Sequence, residues 1–508
     1  MKVLTAAQMR EVDRRTVQAG IPGIVMMENA GHRVVEFLTE RFAPLSTHRI
    51  VVLCGKGNNG GDGMAIARQL YTRCSPEALY VLLLASQEEL SGEALANYQM
   101  LTGCGCPILH ELPAAAQAAT LVVDALLGTG LNGGARGVTL DAIRAINTGF
   151  PLAKVVAVDI PSGMPSDTGD PVGEFAPADY TVTFTAPKVA HVLAPNCDFI
   201  GELVVRQIGT RPDLYGDCDL SMLEPAMFRK LLGPRPPDGH KGTFGHVLVV
   251  AGSRGKTGAA TMCGLGALRA GAGLVTVAAP ESAVAAIAVH TPELMTEPVA
   301  ETPHGTMALN AELDELAVGK TVIAVGPGLG RDPAIAELVL GLNATCQQPM
   351  VMDADALVGR MAAPPQMLRV ITPHPGEMSR LMDKSVAEVQ KDRVATARNF
   401  AAWHNMIVVL KGQRTVIAFP DGVTWVNPTG TPAMGTGGSG DVLTGLIAGF
   451  IAQFPKRIEE AVGAAVYLHG LAGELAVKDL GEKSLIATDI LRYLPKAMEA
   501  CADVPHRH

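Results

Sequence analysis

The sequence predicts two consecutive α/β domains on parallel, doubly wound sheets, and three observations carry the prediction. The chain has 508 residues, well past the roughly 250–300 at which a single hydrophobic core stops growing. Its composition, 48% hydrophobic with 55 glycines but only 4% aromatic, suits helices packed closely on a sheet. Five apolar, β-branched runs each end in glycine and lead into a helix-compatible segment, the order that defines parallel sheets.

Taken in order, Thr5 and Gln8 form a capping box that opens an amphipathic helix. The first three strands read are Arg49-IVVLCG, Thr120-LVVDALLG and Lys154-VVAVDIPSG. Between about 211 and 241 the alternation breaks into RPDLYGD, a short helical stretch around Met222 to Leu232, and GPRPPDGHKG. Such proline and glycine density marks a domain edge, placed near residue 218, with domains expected over 1–217 and 225–505. Strands then resume at His246-VLVVAGS and Thr321-VIAVGPGLG. In sheets of this kind ligands sit beyond the carboxyl ends of the strands, so the glycine turns are where chemistry belongs.

Charge and cysteine usage exclude several classes. A net charge of −9 without a Lys/Arg run repels a polyanion, which argues against nucleic acid as a partner. A small anion can still bind at helix N-termini. The nine cysteines show no paired CxxC spacing that would close a zinc site. No apolar run approaches the ~18 residues of a membrane span and no leader is evident, so a cytoplasmic enzyme is expected, working as a homo-oligomer.

After the first strand comes GKGNNGGDG, residues 55–63. Its glycines permit close backbone approach, and the helix behind offers free N–H groups to a phosphate. Asn58, Asn59 and Asp62 add oxygens to a loop that includes Gly60 and Gly61. The second strand ends in Asp124, a buried carboxylate that needs a partner, and runs into Gly128, Thr129, Gly130, Leu131, Asn132, Gly133 and Gly134. The GxGxxG string at 128–133 is weak evidence by itself, since 435–440 matches it too. Asp159, at the tip of the third strand, faces where a general base would stand, with Lys188 a weaker second. Asn59, Asp124 and Ser162 come from three neighbouring strand ends, and an oxygen-only set suits a hard cation.

In this order and spacing, GNNGGDG, VVDALLGTG and VDIPSG resemble the NAD(P)H-hydrate epimerase family over roughly residues 1–216. The resemblance implies a Rossmann-like sandwich. It also implies that Asn59, Asp124 and Ser162 hold potassium, that loops 58–62 and 128–134 bind hydrated NADH or NADPH, and that Asp159 meets the reacting end.

In the second half, GSRGKTGAA at 252–260 tempts a P-loop reading, but Val250 stands where the first glycine is required. GTGGSGD, 435–441, opens a helix whose N–H groups can surround a transferring phosphoryl group. Asp441 then lies in the first turn, a base for phosphoryl transfer whose pKa the helix dipole is expected to lower. His374 stands between two prolines. Asp353, Asp355 and Glu377 are open between metal-facing and turn roles. GPGLG, VMDADAL, TPHPGE, KGQRT and GTGGSGD together resemble the ADP-dependent NAD(P)H-hydrate dehydratases, a ribokinase-like fold, over roughly residues 225–505. Carried over by position, Lys411, Gly412, Gln413, Arg414, Thr415 and Gly440 bind the adenine nucleotide. Ala260, Gly328, His374 and Asp441 meet the hydrated cofactor, with magnesium and ADP as the further requirements.

Overall fold

A computed structural model describes residues 1–131, 133–359 and 361–502. The chain divides into two compact units, Met1–Leu220 and Ser221–His508.

The first unit is built on seven strands: β1 (Arg49–Cys54), β2 (Ala78–Leu83), β3 (Ile108–Leu109), β4 (Leu121–Ala125), β5 (Lys154–Val158), β6 (Tyr180–Phe184) and β7 (Glu202–Arg206). They lie in the order β3-β2-β1-β4-β5-β6-β7, and every pairing is parallel. Alternation decides which face each residue joins: Ile50, Val52 and Cys54 enter one apolar cluster, Val51 and Leu53 the other. Both faces are covered, so the strands read as continuous apolar runs. The order reverses direction between β1 and β4, and such a switch point opens a crevice at the strand ends.

The second sheet comprises β8 (Leu220–Met222), which starts on the last residue of the first unit, β9 (His246–Val250), β10 (Leu274–Pro280), β11 (Met295–Val299), β12 (Val322–Val325), β13 (Met350–Met352), β14 (Arg369–Ile371), β15 (Ile407–Leu410), β16 (Val416–Ala418) and β17 (Thr424–Val426). Their order is β11-β10-β9-β12-β13-β14-β15-β16-β17-β8. From β11 to β15 the pairings are parallel, and β15-β16-β17 form an antiparallel edge. Helices Thr257–Ala270 and Ser439–Gln453 pack so closely that a Cβ on Gly445 would fall 1.9 Å from the carbonyl oxygen of Cys263. Glycine there lets the helix carrying Asp441 sit against the helix Thr257–Ala270.

The five strands read from glycine-ended runs are β1, β4, β5, β9 and β12. The Thr5–Gln8 capping box forms, each residue bonding the other's backbone. The helical stretch expected around Met222 to Leu232 is instead an edge strand and two single 3-10 turns, Pro225–Met227 and Arg229–Leu232. Proline at the first turn position starts a turn readily, but each turn stops after three or four residues. Among the described residues no helix is long and apolar enough to cross a membrane.

Candidate active sites

In the first unit the glycine loop closes tightly over β1. A Cβ on Gly60 would stand 1.8 Å from the carbonyl oxygen of Gly55, so only glycine lets the helix Asn58–Gln69 begin there. Below it lies a cavity of about 890 Å³ whose lining includes Asn58, Asn59, Asp62, Gly128, Asp159 and Lys188. Thr129, Gly130 and Leu131 also line it. Gly60 and Gly61 form the buried start of the helix, and Gly133 and Gly134 follow in the second loop. Asn132 lies outside the described residues.

Asp159 takes a left-handed backbone, φ 67°, where a non-glycine residue is strained. The turn is pinned because the Asp159 N–H continues the ladder to Val182 O at 2.8 Å. Lys188 is only 1% exposed. Its ammonium donates to the Asp159 carboxylate, to Thr183 Oγ1 at 2.8 Å and to Phe184 O at 3.3 Å. Thr183 in turn donates to Asp159 at 2.9 Å. Burial pushes Asp159 upward, but the Lys188 charge and these hydrogen bonds outweigh it and hold the carboxyl below its ordinary value. Its neighbour Asp62 has no such bonds among the described residues and is driven well above its ordinary value, first by burial and then by Asp159. His191 accepts the Lys188 N–H at 3.1 Å and is pushed down to about 3 by burial, with Lys188 adding to it.

Three predicted cation ligands do converge. Ser162 donates from its N–H and its hydroxyl to Asp124, at 2.8 and 2.5 Å. Asn59 donates to Leu127 O at 2.9 Å, which leaves its Oδ1 buried and without a partner. Burial raises Asp124 to about 6 despite those hydrogen bonds. An orphaned carbonyl oxygen beside an under-compensated carboxylate is an oxygen set that fits a monovalent cation.

In the second unit the polar centre is Lys411, which directly follows β15 and lies 2.6 Å from Asp353 Oδ1 and 3.8 Å from Glu377 Oε2. Thr444 donates to the other Asp353 oxygen at 2.9 Å. Gly440 brings the glycine loop down onto this pair: a Cβ there would be 3.3 Å from the Lys411 ammonium. Burial disfavours the Lys411 charge, but Asp353 and Glu377 more than restore it, so its pKa is raised. Asp441 is pushed up to about 7 by burial and by Asp353 and Asp355, against Lys411. The expected lowering by the helix dipole is therefore overturned, because burial and two nearby carboxylates exceed it.

His374 caps the helix Pro375–Met382, its Nδ1 accepting N–H bonds from Gly376 and Glu377 at 3.0 and 3.3 Å. That places the ring proton on Nε2, on a side chain 53% exposed and able to meet a ligand. Glu377 returns the cap to the His374 N–H at 2.8 Å. Asp355 accepts from Gly330 N at 2.9 Å and faces Lys256 at 3.5 Å. Gly328 has φ 65°, and a Cβ there would press on Ala259 and Lys256 at 3.0 Å. Ala260 is fully buried in the core, so its side chain is shut away beneath the loop.

Sequence reasoning missed Arg393. Its guanidinium donates to the carbonyls of Leu410, Lys411 and Gln413, and burial lowers it to about 10. It thereby fixes the 411–415 loop, where Gly412 (φ 140°) and Arg414 (φ 56°) turn and Thr415 donates to Gly412 O at 3.0 Å. Nothing local in the sequence signals this, since the clamp reaches across 17 to 20 positions.

A Rossmann-like sandwich with an acid–lysine cavity, followed by a ribokinase-like domain with a glycine loop over an aspartate, defines an enzyme with two nucleotide-handling sites. Residues 23–190 match the family model described as YjeF-related protein N-terminus, and residues 247–496 the one described as NAD(P)H-hydrate dehydratase. The chain is 43% identical over 517 residues to the bifunctional NAD(P)H-hydrate repair enzyme Nnr of Moorella thermoacetica, covering 97% of this chain and 96% of that one. It is 36% identical over 490 residues to the enzyme of the same name from Coxiella burnetii, covering 96% and 97%. A crystal structure of the ADP/ATP-dependent NAD(P)H-hydrate dehydratase of Bacillus subtilis, co-crystallised with ATP and Mg²⁺, is 34% identical; it aligns over 55% of this chain and 97% of that one with a TM-score of 0.49. The chain belongs to the bifunctional NAD(P)H-hydrate repair enzymes, epimerase and dehydratase in one polypeptide.

Proposed function

We infer that the first unit interconverts the R and S forms of hydrated NADH and NADPH, and that the second returns the S form to NADH or NADPH at the expense of ADP. The observation that carries the first half is the single cavity lined by both glycine loops, with the ionised Asp159 and its lysine in its wall. Loops 58–62 and 128–134 hold the dinucleotide, and Asp159 carries the proton exchanged with the oxygen on C6. Asn59, Asp124 and Ser162 would hold potassium, which supplies a fixed positive charge beside the phosphate-binding loops when bound.

For the second half, Gly440 and the loop 411–415 bind the nucleotide, and Gly328, His374 and Asp441 face the hydrated ring, with Ala260 packed beneath them. The Asp441 carboxylate takes the C6 hydroxyl proton as the β-phosphoryl group of ADP is transferred. That transfer leaves AMP; phosphate then departs from C6 with the C–O electron pair and a proton is lost from C5 to solvent, which restores the dihydropyridine ring. The backbone N–H groups of 437–440 stabilise the charge on the transferred group. Among the described residues no group of three or more His, Cys, Asp or Glu side chains is placed to hold a metal ion; magnesium would be held mainly by the phosphates with one or two carboxylates, its usual habit.

The test is recovery of reduced-nicotinamide absorbance from an R/S mixture of hydrated NADH with ADP, ATP or neither. Full recovery with ADP supports both halves, and arrest at the S fraction removes the epimerase half. No recovery with either nucleotide would sink the dehydratase reading.

A further inference from the structure

The N-terminal cavity holds a carboxyl that the roles above leave unused. Asp13 lies on the helix Ala6–Gln18 and lines the cavity with Asp62, Asp159 and Lys188. One of its oxygens, Oδ1, is buried and has no hydrogen-bond partner among the described residues. The usual structural duties of a helix acid fall to others. Thr5 and Gln8 cap the helix, and Glu11 takes the surface pairs with Arg14 and Arg15. Ionising a carboxyl with a shut-in, unpartnered oxygen is costly, so it holds its proton to a higher pH than an ordinary carboxyl does. Burial, with Asp159 adding and Lys188 opposing, pushes Asp13 to about 6.

We propose that Asp13 is a second catalytic residue of the N-terminal site, the acid that gives its proton to the departing C6 hydroxyl of the hydrated nicotinamide. The proposal rests on the epimerase reading of this cavity. Inverting C6 through C–O cleavage needs a proton donor for the leaving oxygen and an acceptor for the returning water. Asp159 is held ionised and has no proton to give. Lys188 spends its three N–H bonds on Asp159, Thr183 and Phe184, so it has none left for substrate. Asp62 stands near the start of the helix Asn58–Gln69, within the loop 58–62 that holds the dinucleotide, and is taken up there.

The step balances without any co-reactant. The Asp13 proton goes to the C6 oxygen, the C–O bond breaks with its electron pair leaving as water, and the ring-nitrogen lone pair forms the iminium. Water then adds to the opposite face and passes its proton to Asp159. Exchange through solvent returns that proton to Asp13, and no electron changes hands.

The test uses the full chain, the purified R epimer of hydrated NADH, no ADP, and water enriched in the heavy oxygen isotope. The parent should take up label at C6 with each inversion. Asp13→Asn should lower kcat for inversion by about 100-fold or more, the range of a positioned acid, while the dissociation constant for the R epimer stays within about threefold. Asp13→Asn inverting as fast as the parent would overturn the proposal and leave the epimerase reading standing. So would a loss of rate that merely follows a loss of binding. Inversion by the parent without label uptake would overturn it however the variant folds, and a parent that fails to invert at all would take the epimerase reading down with it.

Discussion

Each unit buries a lysine against an aspartate at the carboxyl end of its parallel sheet, yet the two pairs leave different acids available for chemistry. In the first unit the paired acid is Asp159 itself, part of the cavity wall and held ionised, while the unpaired Asp13 and Asp62 are driven up. In the second, Asp353 is consumed by Lys411 and Thr444, and its negative charge helps raise the unpaired Asp441 to about 7. The lesson is that a buried ion pair selects the charge state of the carboxyls around it as much as its own. The first site keeps Asp159 ionised across neutrality, and the second leaves Asp441 half-protonated there.

The sharpest way to break this comparison is to remove the unpaired acid of the second unit. Asp441→Asn should lower ADP-dependent recovery of NADH by about 10²–10⁴-fold, while epimer interconversion measured without ADP is unchanged. Equal loss in both assays would show that the two sites do not divide the chemistry as described. Next come the lysines. Lys188→Met strands the Asp159 charge in a buried place, and breaking such a pair costs about 3–5 kcal/mol. Urea unfolding of the first unit should shift its midpoint down accordingly, and an unshifted midpoint would mean that Asp159 finds another partner.

A smaller effect sharpens the second pair. Asp441 must be ionised to accept a proton, so dehydratase kcat/KM should rise with pH and level off above an acid limb near 7. Lys411 lowers that pKa, so Lys411→Met should move the limb to higher pH in whatever activity remains. A limb that stays put would separate Asp441 from Lys411. The smallest effect belongs to the cation ligands. Potassium in place of a bulky organic cation should raise the melting temperature of the first unit by a few degrees, since a ligand at ten times its Kd adds about 1.4 kcal/mol. In Asn59→Leu that difference should vanish.

Much of this was legible from residues in order. The glycine-ended runs gave the strand positions, because a buried parallel strand must be apolar throughout and must turn sharply where it meets a helix. The loops around Asn59, Gly128 and Gly440 were found for the same reason, and so were Asp124, Asp159 and Asp441 at strand and helix ends. The stretch after Met222 was misjudged because its apolar residues pack as an edge strand and two turns, a choice made by the sheet beside it. Lys188 read as the weaker candidate until the fold buried it against Asp159. Asp13 and Arg393 carried no local signal at all.

The sequence by itself determined the two parallel α/β units, the glycine loops at their strand ends and the family to which the chain belongs. Only the tertiary structure decided which acids are charged. Lys188 meets Asp159 across 29 positions and Lys411 meets Asp353 across 58, and a pKa follows burial and the charges nearby in space, whatever their distance along the chain.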